Sequence, residues 1–125
     1  MSYDFTMFRP KPDIAAEIES LEDLSERTLL PQEPAALVAA LSSLFPQLAW
    51  RNEADGAWFG SLDGDDTWYE FRIGAEADYS WSVCTSHRAT KRSAVPAICD
   101  ELGLLAFDGQ ANLLIWPAGY FRGES

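Results

Sequence analysis

In residues 48–85, apolar side chains recur at alternate positions, and three short polar segments interrupt the alternation. A two-residue period is typical of strands that have one buried face and one solvated face. Two of the interruptions contain an Asp-Gly pair, which favours tight hairpin turns. We therefore predict an antiparallel meander of four strands, at about residues 49–53, 57–62, 67–73 and 79–85.

The chain before this meander contains one more strand-like pattern and two helical ones. Residues 2–9 alternate between two faces, and Pro10 and Pro12 end the pattern. Asp13 is a favourable N-cap for a first helix. Pro34 suits the first turn of a second helix, which Pro46 would end. The apolar stripes of these two helices are Ile14, Ile18 and Leu21, then Leu37, Val38, Leu41, Leu44 and Phe45.

The end of the chain predicts a last helix and a short pair of strands. Pro96 lies in the first turn of this helix, and Gly103 is placed to end it. The helix has an apolar stripe of Val95, Ile98, Cys99 and Leu102. Residues 104–107 and 112–116 flank an Asp-Gly-Gln turn and predict a short hairpin, or a strand and its extension.

A length of 125 residues, 47% of them apolar, is sufficient for one hydrophobic core. We predict a single α+β domain over residues 1–125. It should contain a mainly antiparallel sheet of five or six strands, with two or three helices packed on one face.

The formal net charge of −11 limits the kinds of partner. Nucleic acids and anionic membranes attract proteins through Lys and Arg, so neither is an expected partner, whereas a basic protein would be attracted. Only Cys84, Cys99 and one histidine are available as thiol or imidazole ligands, so we predict no metal and no cofactor. Without a leader-like segment, the chain is expected to be cytoplasmic with both thiols reduced.

Two polar segments could carry chemistry, and for both a structural role is the simpler interpretation. Asp63, Asp65 and Asp66 resemble the start of a calcium loop, but the later ligands of such a loop are missing. His87 lies beside Arg88 in a small basic segment before the last helix, where an anion could bind. No orienting acid is identifiable for a catalytic histidine. We therefore predict a protein that is not an enzyme, although a small enzyme using lone carboxylates stays open.

The tryptophans of the meander predict a binding surface. If Tyr69, Phe71, Tyr79 and Trp81 face the core, Trp68 faces outward, and we place Trp58 there as a further candidate. An exposed aromatic side chain among carboxylates is typical of a protein-binding surface with electrostatic steering. The predicted partner-binding residues are Trp58, Asp63, Asp65, Asp66 and Trp68. Another helix of the chain, or a second copy in a homodimer, could cover this face instead.

An alternative function is a small-molecule binding or regulatory domain. Its pocket would lie between the sheet and the helices, with Glu70, Arg72 and Trp81 orienting the ligand. Charges two residues apart on a strand are more often cross-strand partners, so this site is the second choice.

The two ends of the chain are similar in sequence to known proteins. The opening Ser-Tyr-Asp-Phe-Thr-Met-Phe and the closing run from Val95 to Trp116-Pro117 resemble a group of small bacterial proteins. Some of these proteins are similar to immunity proteins encoded beside secreted antibacterial toxins. The resemblance implies a protein that binds and blocks one cognate toxin. It does not extend to the tryptophan-rich middle of the chain, and it implies no catalytic residue.

Overall fold

The computed structural model describes residues 3–12, 18–63, 68–85 and 94–117. They form an α+β fold in which eight strands and two α-helices are found, with a short 3-10 turn at Leu21–Asp23. The helices are α1 at Pro34–Leu44 and α2 at Ala94–Leu102. The strands are β1 Tyr3–Pro10, β2 Leu29–Leu30, β3 Ala49–Asn52, β4 Trp58–Asp63, β5 Trp68–Ile73, β6 Ser80–Thr85, β7 Leu105–Asp108 and β8 Leu113–Ile115.

All the strand pairs of the sheet are antiparallel, in the order β3-β4-β5-β6-β1-β7-β8, with β2 paired to β1. The predicted class and the four-strand meander are confirmed. The predicted count of five or six strands is too low, because the chain adds β2 and builds β7 and β8 as two separate strands. β2 is only two residues long, which is too short to leave a periodic pattern in the sequence.

The predicted first helix begins at Asp13, and its residues 13–17 lie outside the described residues. Its second half, which would carry Ile18 and Leu21, is not α-helical: residues 18–20 are irregular and Leu21–Asp23 form the 3-10 turn, so this part of the prediction is wrong. Ile18 itself is completely buried. The other two helices are confirmed, and α2 ends as predicted at Gly103, whose φ is 67°. The backbone N–H of Leu104 donates to the carbonyl of Cys99 and closes this helix end.

The hydrophobic core lies between one face of the sheet and the two helices. Phe71 in β5 is completely buried at its centre, with ring contacts to Phe45, Trp50 and Trp81. Strand alternation explains this face, because side chains two residues apart on β5 point to the same side. Besides Phe71, the buried cluster contains Phe5, Met7, Leu37, Leu41, Leu48, Leu62, Tyr69, Ile73, Trp81, Val83, Ala94, Val95, Ile98, Cys99, Leu104 and Ala106.

Two buried polar side chains tie the elements together. The side chain of Gln32 donates to the carbonyls of Met7 and Tyr79 and accepts a hydrogen bond from Trp81 Nε1. The Tyr69 hydroxyl in β5 accepts a bond of 2.9 Å from the first backbone N–H of α2, that of Ala94. Each side chain forms hydrogen bonds inside the core, where buried polar groups are normally paired.

Gly60 in β4 allows the Trp50 indole to lie directly on the sheet. A Cβ atom at this position would be 2.8 Å from Trp50 Cζ3. The ring cannot move away easily, because Trp50 Nε1 donates to Ser42 Oγ at 2.8 Å and the indole also packs edge-on against Trp58. The absence of a side chain at position 60 therefore sets the packing of this corner.

We expect Gly60→Ala to lower the free energy of unfolding by about 1–3 kcal/mol, the usual cost of overpacking a core. Urea denaturation followed by circular dichroism measures this change. Gly109→Ala is the matched control, because its Cβ would meet only the Asp4 carbonyl oxygen at 3.8 Å, an ordinary contact. Equal stabilities for the two variants would show that the Trp50 ring gives way freely.

Candidate functional site

The face of the sheet opposite the helices is covered at one end and open at the other. Around β7, Leu105 points to this face and is completely buried. Glu19 and Ser20 line one pocket there together with Phe107 and Leu114, so the chain itself covers this end. Over β3 to β6 the outward side chains are half-buried or exposed. They are Ala49, Arg51, Phe59, Ser61, Asp63, Trp68, Glu70, Arg72, Ser80, Ser82 and Cys84.

One end of this open face is acidic and aromatic. Asp63 at the end of β4 pairs directly with Trp68 at the start of β5, so both side chains point outward. Trp68 is 37% exposed, which is unusual for a residue of this size, and Asp63 is also exposed. The structure thus brings two of the predicted partner-binding residues together. The other two acidic members of the set, Asp65 and Asp66, lie outside the described residues.

Trp58 does not belong to this surface. Its Cα partner on β5 is Ile73, which points to the core, so Trp58 lies on the helix-covered face. There it is half-buried and packs edge-on against Trp50 at a centroid distance of 6.2 Å. The prediction that Trp58 points outward is therefore wrong, because β4 and β5 pair so that Trp58 and Trp68 point to opposite sides.

The three residues of the alternative ligand site also lie on different faces. Glu70 and Arg72 point outward from β5, opposite Cys84 and Ser82 of β6. Trp81 is buried on the core face, where its indole N–H donates a hydrogen bond to Gln32 Oε1. The structure does not bring these three side chains into one pocket between the sheet and the helices.

The other end of the open face carries a row of three side chains that sequence reasoning did not connect. Arg51 of β3, Phe59 of β4 and Arg72 of β5 are direct neighbours across the three strands. The Cζ atoms of Arg51 and Arg72 lie 4.6 and 5.4 Å from the centroid of the Phe59 ring, within the range of cation–π interactions. We call Arg51, Phe59 and Arg72 the arginine row.

The arginine row borders a groove of about 430 Å³. Ala57, Trp58, Ile73 and Gly74 also border the groove, but the side chains of Trp58 and Ile73 turn to the core face, so Ala57 and Phe59 supply its apolar side chains. Glu53 forms a 2.6 Å salt bridge with Arg51 Nε at its rim. A sequence signal for the row did exist. Phe59 stands at a position of β4 that faces outward by strict alternation, yet it is a large aromatic side chain.

Of the two cysteine thiols, only that of Cys99 is buried. Burial raises the pKa of the Cys99 thiol to about 12, with a smaller contribution from the charge of Asp100, so Cys99 is protonated at neutral pH. Cys84 is half-buried on the outer face. In the described parts of the chain, no group of three or more His, Cys, Asp or Glu side chains is arranged to hold a metal ion. His87 and the basic segment around it lie outside those parts.

A comparison with protein-family models, curated proteins and solved structures found no match to this chain. Among the described helices, neither has the length and apolar character needed to cross a membrane. The functional interpretation therefore depends on the two ends of the open sheet face.

Proposed function

We propose that this protein is a non-enzymatic cytoplasmic binding protein of the immunity type, which binds and blocks a basic bacterial toxin. The observation that carries the proposal is the pairing of exposed Trp68 with Asp63 on the open outer face of the sheet. Tryptophans that lose their remaining exposure on binding are among the residues that contribute most to protein interfaces.

Charge supports a basic partner. The net charge of −11 gives the molecule a negative field that accelerates association with a positively charged protein. In the described part of the chain, no salt bridge neutralises Asp63, which leaves this carboxylate available to a partner cation. Asp65 and Asp66 follow it in the sequence and add two further negative charges to the same connection.

The mechanism would be steric and electrostatic occlusion. Trp68 would supply the apolar contact, and Asp63 with its acidic neighbours would pair with Lys or Arg side chains of the toxin's active site. Because Asp63 and Trp68 lie on two paired strands, the backbone at these two positions would need little ordering on binding.

The test begins with capture of partners from the lysate of the producing cell, at low and at high salt, on the immobilised protein. A captured protein supports the proposal if it is basic, binds the purified protein directly, inhibits growth when expressed alone, and is neutralised by co-expression. We expect Trp68→Ser to weaken its binding by about 2 kcal/mol, roughly thirtyfold, and Asp63→Asn to reduce mainly the association rate.

Two variants elsewhere on the molecule serve as controls. Tyr79→Ser removes an aromatic ring that is 36% exposed, almost as much as Trp68, from just before β6. Glu101→Gln removes one exposed carboxylate from α2, on the opposite side of the sheet. If these variants weaken binding as much as the changes at positions 63 and 68, or if the protein captures only itself, the proposal fails.

A further inference from the structure

The arginine row lies at the other end of the open face, opposite the end that carries Asp63 and Trp68. We propose that the groove beside it binds a small molecule with a carboxylate or phosphate group on a flat apolar body. This site is separate from the surface formed by Asp63 and Trp68, and its use does not depend on a toxin partner.

Charge is the first argument for this ligand. Arg51 is already paired with Glu53, but Arg72 forms no salt bridge with any carboxylate that the structure describes. Glu70 lies two residues away on the same strand and face, yet it does not form an ion pair with Arg72. The groove therefore keeps one uncompensated guanidinium in a molecule whose net charge is −11.

The second argument is that both guanidinium groups are held in place before a ligand arrives. The Phe59 ring lies between them on the middle strand, and Glu53 fixes Arg51 further through a 2.6 Å contact. An arginine side chain normally loses much of its rotamer freedom when it forms a fixed contact. Stacking on Phe59 has already restricted this freedom, so less of it is lost when an anion binds.

The shape and lining of the groove indicate the rest of the ligand. Its volume of about 430 Å³ falls in the range of small-molecule sites. Ala57 and Phe59 supply apolar lining next to Arg72, while the side chains of Trp58 and Ile73 turn to the core face. A guanidinium donates two parallel hydrogen bonds to a carboxylate or a phosphate, and Ala57 and Phe59 would contact a flat hydrocarbon group attached to that anion.

Nuclear magnetic resonance titrations of the full chain at low ionic strength test the proposal with four probes. These are benzoate, phenyl phosphate, inorganic phosphate and neutral benzyl alcohol. We expect saturable shifts of the Arg72 Nε–Hε and Gly74 backbone signals with benzoate, phenyl phosphate or both, and much weaker effects of the other two. The stronger of the first two probes identifies the preferred anion.

Arg72→Gln should weaken the affinity for the better probe by about tenfold or more, since it removes the charge-assisted pair. Arg27→Gln removes the same charge from an exposed position before β2 and should leave the affinity unchanged. The dispersion of the backbone spectrum verifies that both variants are folded. Shifts that do not saturate, equal affinities of the two variants, or binding of benzyl alcohol as strong as that of benzoate would overturn the proposal.

Discussion

Phe71→Ala should lower the free energy of unfolding by about 3–5 kcal/mol, the usual cost of removing a large aromatic side chain from a core. Phe71 is completely buried, and its ring contacts three other aromatic rings that come from the end of α1, from β3 and from β6. The cavity would lie where these elements meet and could not collapse without moving all of them. Urea denaturation of the purified variant measures the change.

Phe59→Ala is the matched control for this experiment. It makes the same substitution one strand away, but on the open outer face, where Phe59 is half-buried against the two guanidinium groups. Its cost should be about 1 kcal/mol, because little apolar area leaves contact with the protein. Similar losses in the two variants would mean that the sheet does not have one buried and one open face at these positions.

Gln32→Leu should destabilise the protein by about 2–4 kcal/mol. The substitution keeps the approximate volume of the side chain but removes both donors and the acceptor of the buried amide. The carbonyls of Met7 and Tyr79 and the indole N–H of Trp81 would then be left buried without these partners. The backbone hydrogen bonds between Gln32 and Asp78 would remain, so the decrease in the free energy of unfolding measures the contribution of the side chain alone.

A double-mutant cycle with Trp81→Phe separates this hydrogen bond from general packing. Removing the indole should cost less in the Gln32→Leu background than in the wild type, because the N–H has already lost its acceptor. Additive losses would show that the 2.9 Å contact between Trp81 Nε1 and Gln32 Oε1 contributes no stability of its own.

Strand alternation made most of the fold predictable. The meander, α1, α2 and the face to which Phe71, Trp81 and Trp68 point all follow from local patterns with periods of two or 3.6 residues. Tyr79 was expected in the core, but it precedes the first residue of β6 and is 36% exposed. The contacts of Gln32 were not predictable, since nothing local in the sequence indicates that its amide reaches β1 and β6.

The candidate site was less predictable because it depends on register. The short turn between β4 and β5 suggests that Asp63 pairs with Trp68. The register is determined only by all the hydrogen bonds between the two strands together. The same register turns Trp58 away from Trp68. It also aligns Arg51 and Arg72 on either side of Phe59, although they are far apart in the sequence.

The central place of β1 in the sheet has a consequence for how the chain folds. Phe5 pairs with Val83 on one side and with Asp108 on the other, so this first strand completes its pairing only after two distant segments reach it. The hairpins of β3 to β6 need only local loop closure and can form sooner. During synthesis, β1 must therefore stay unaggregated while the ribosome makes its neighbours, and mutual repulsion between negatively charged chains helps to keep it so.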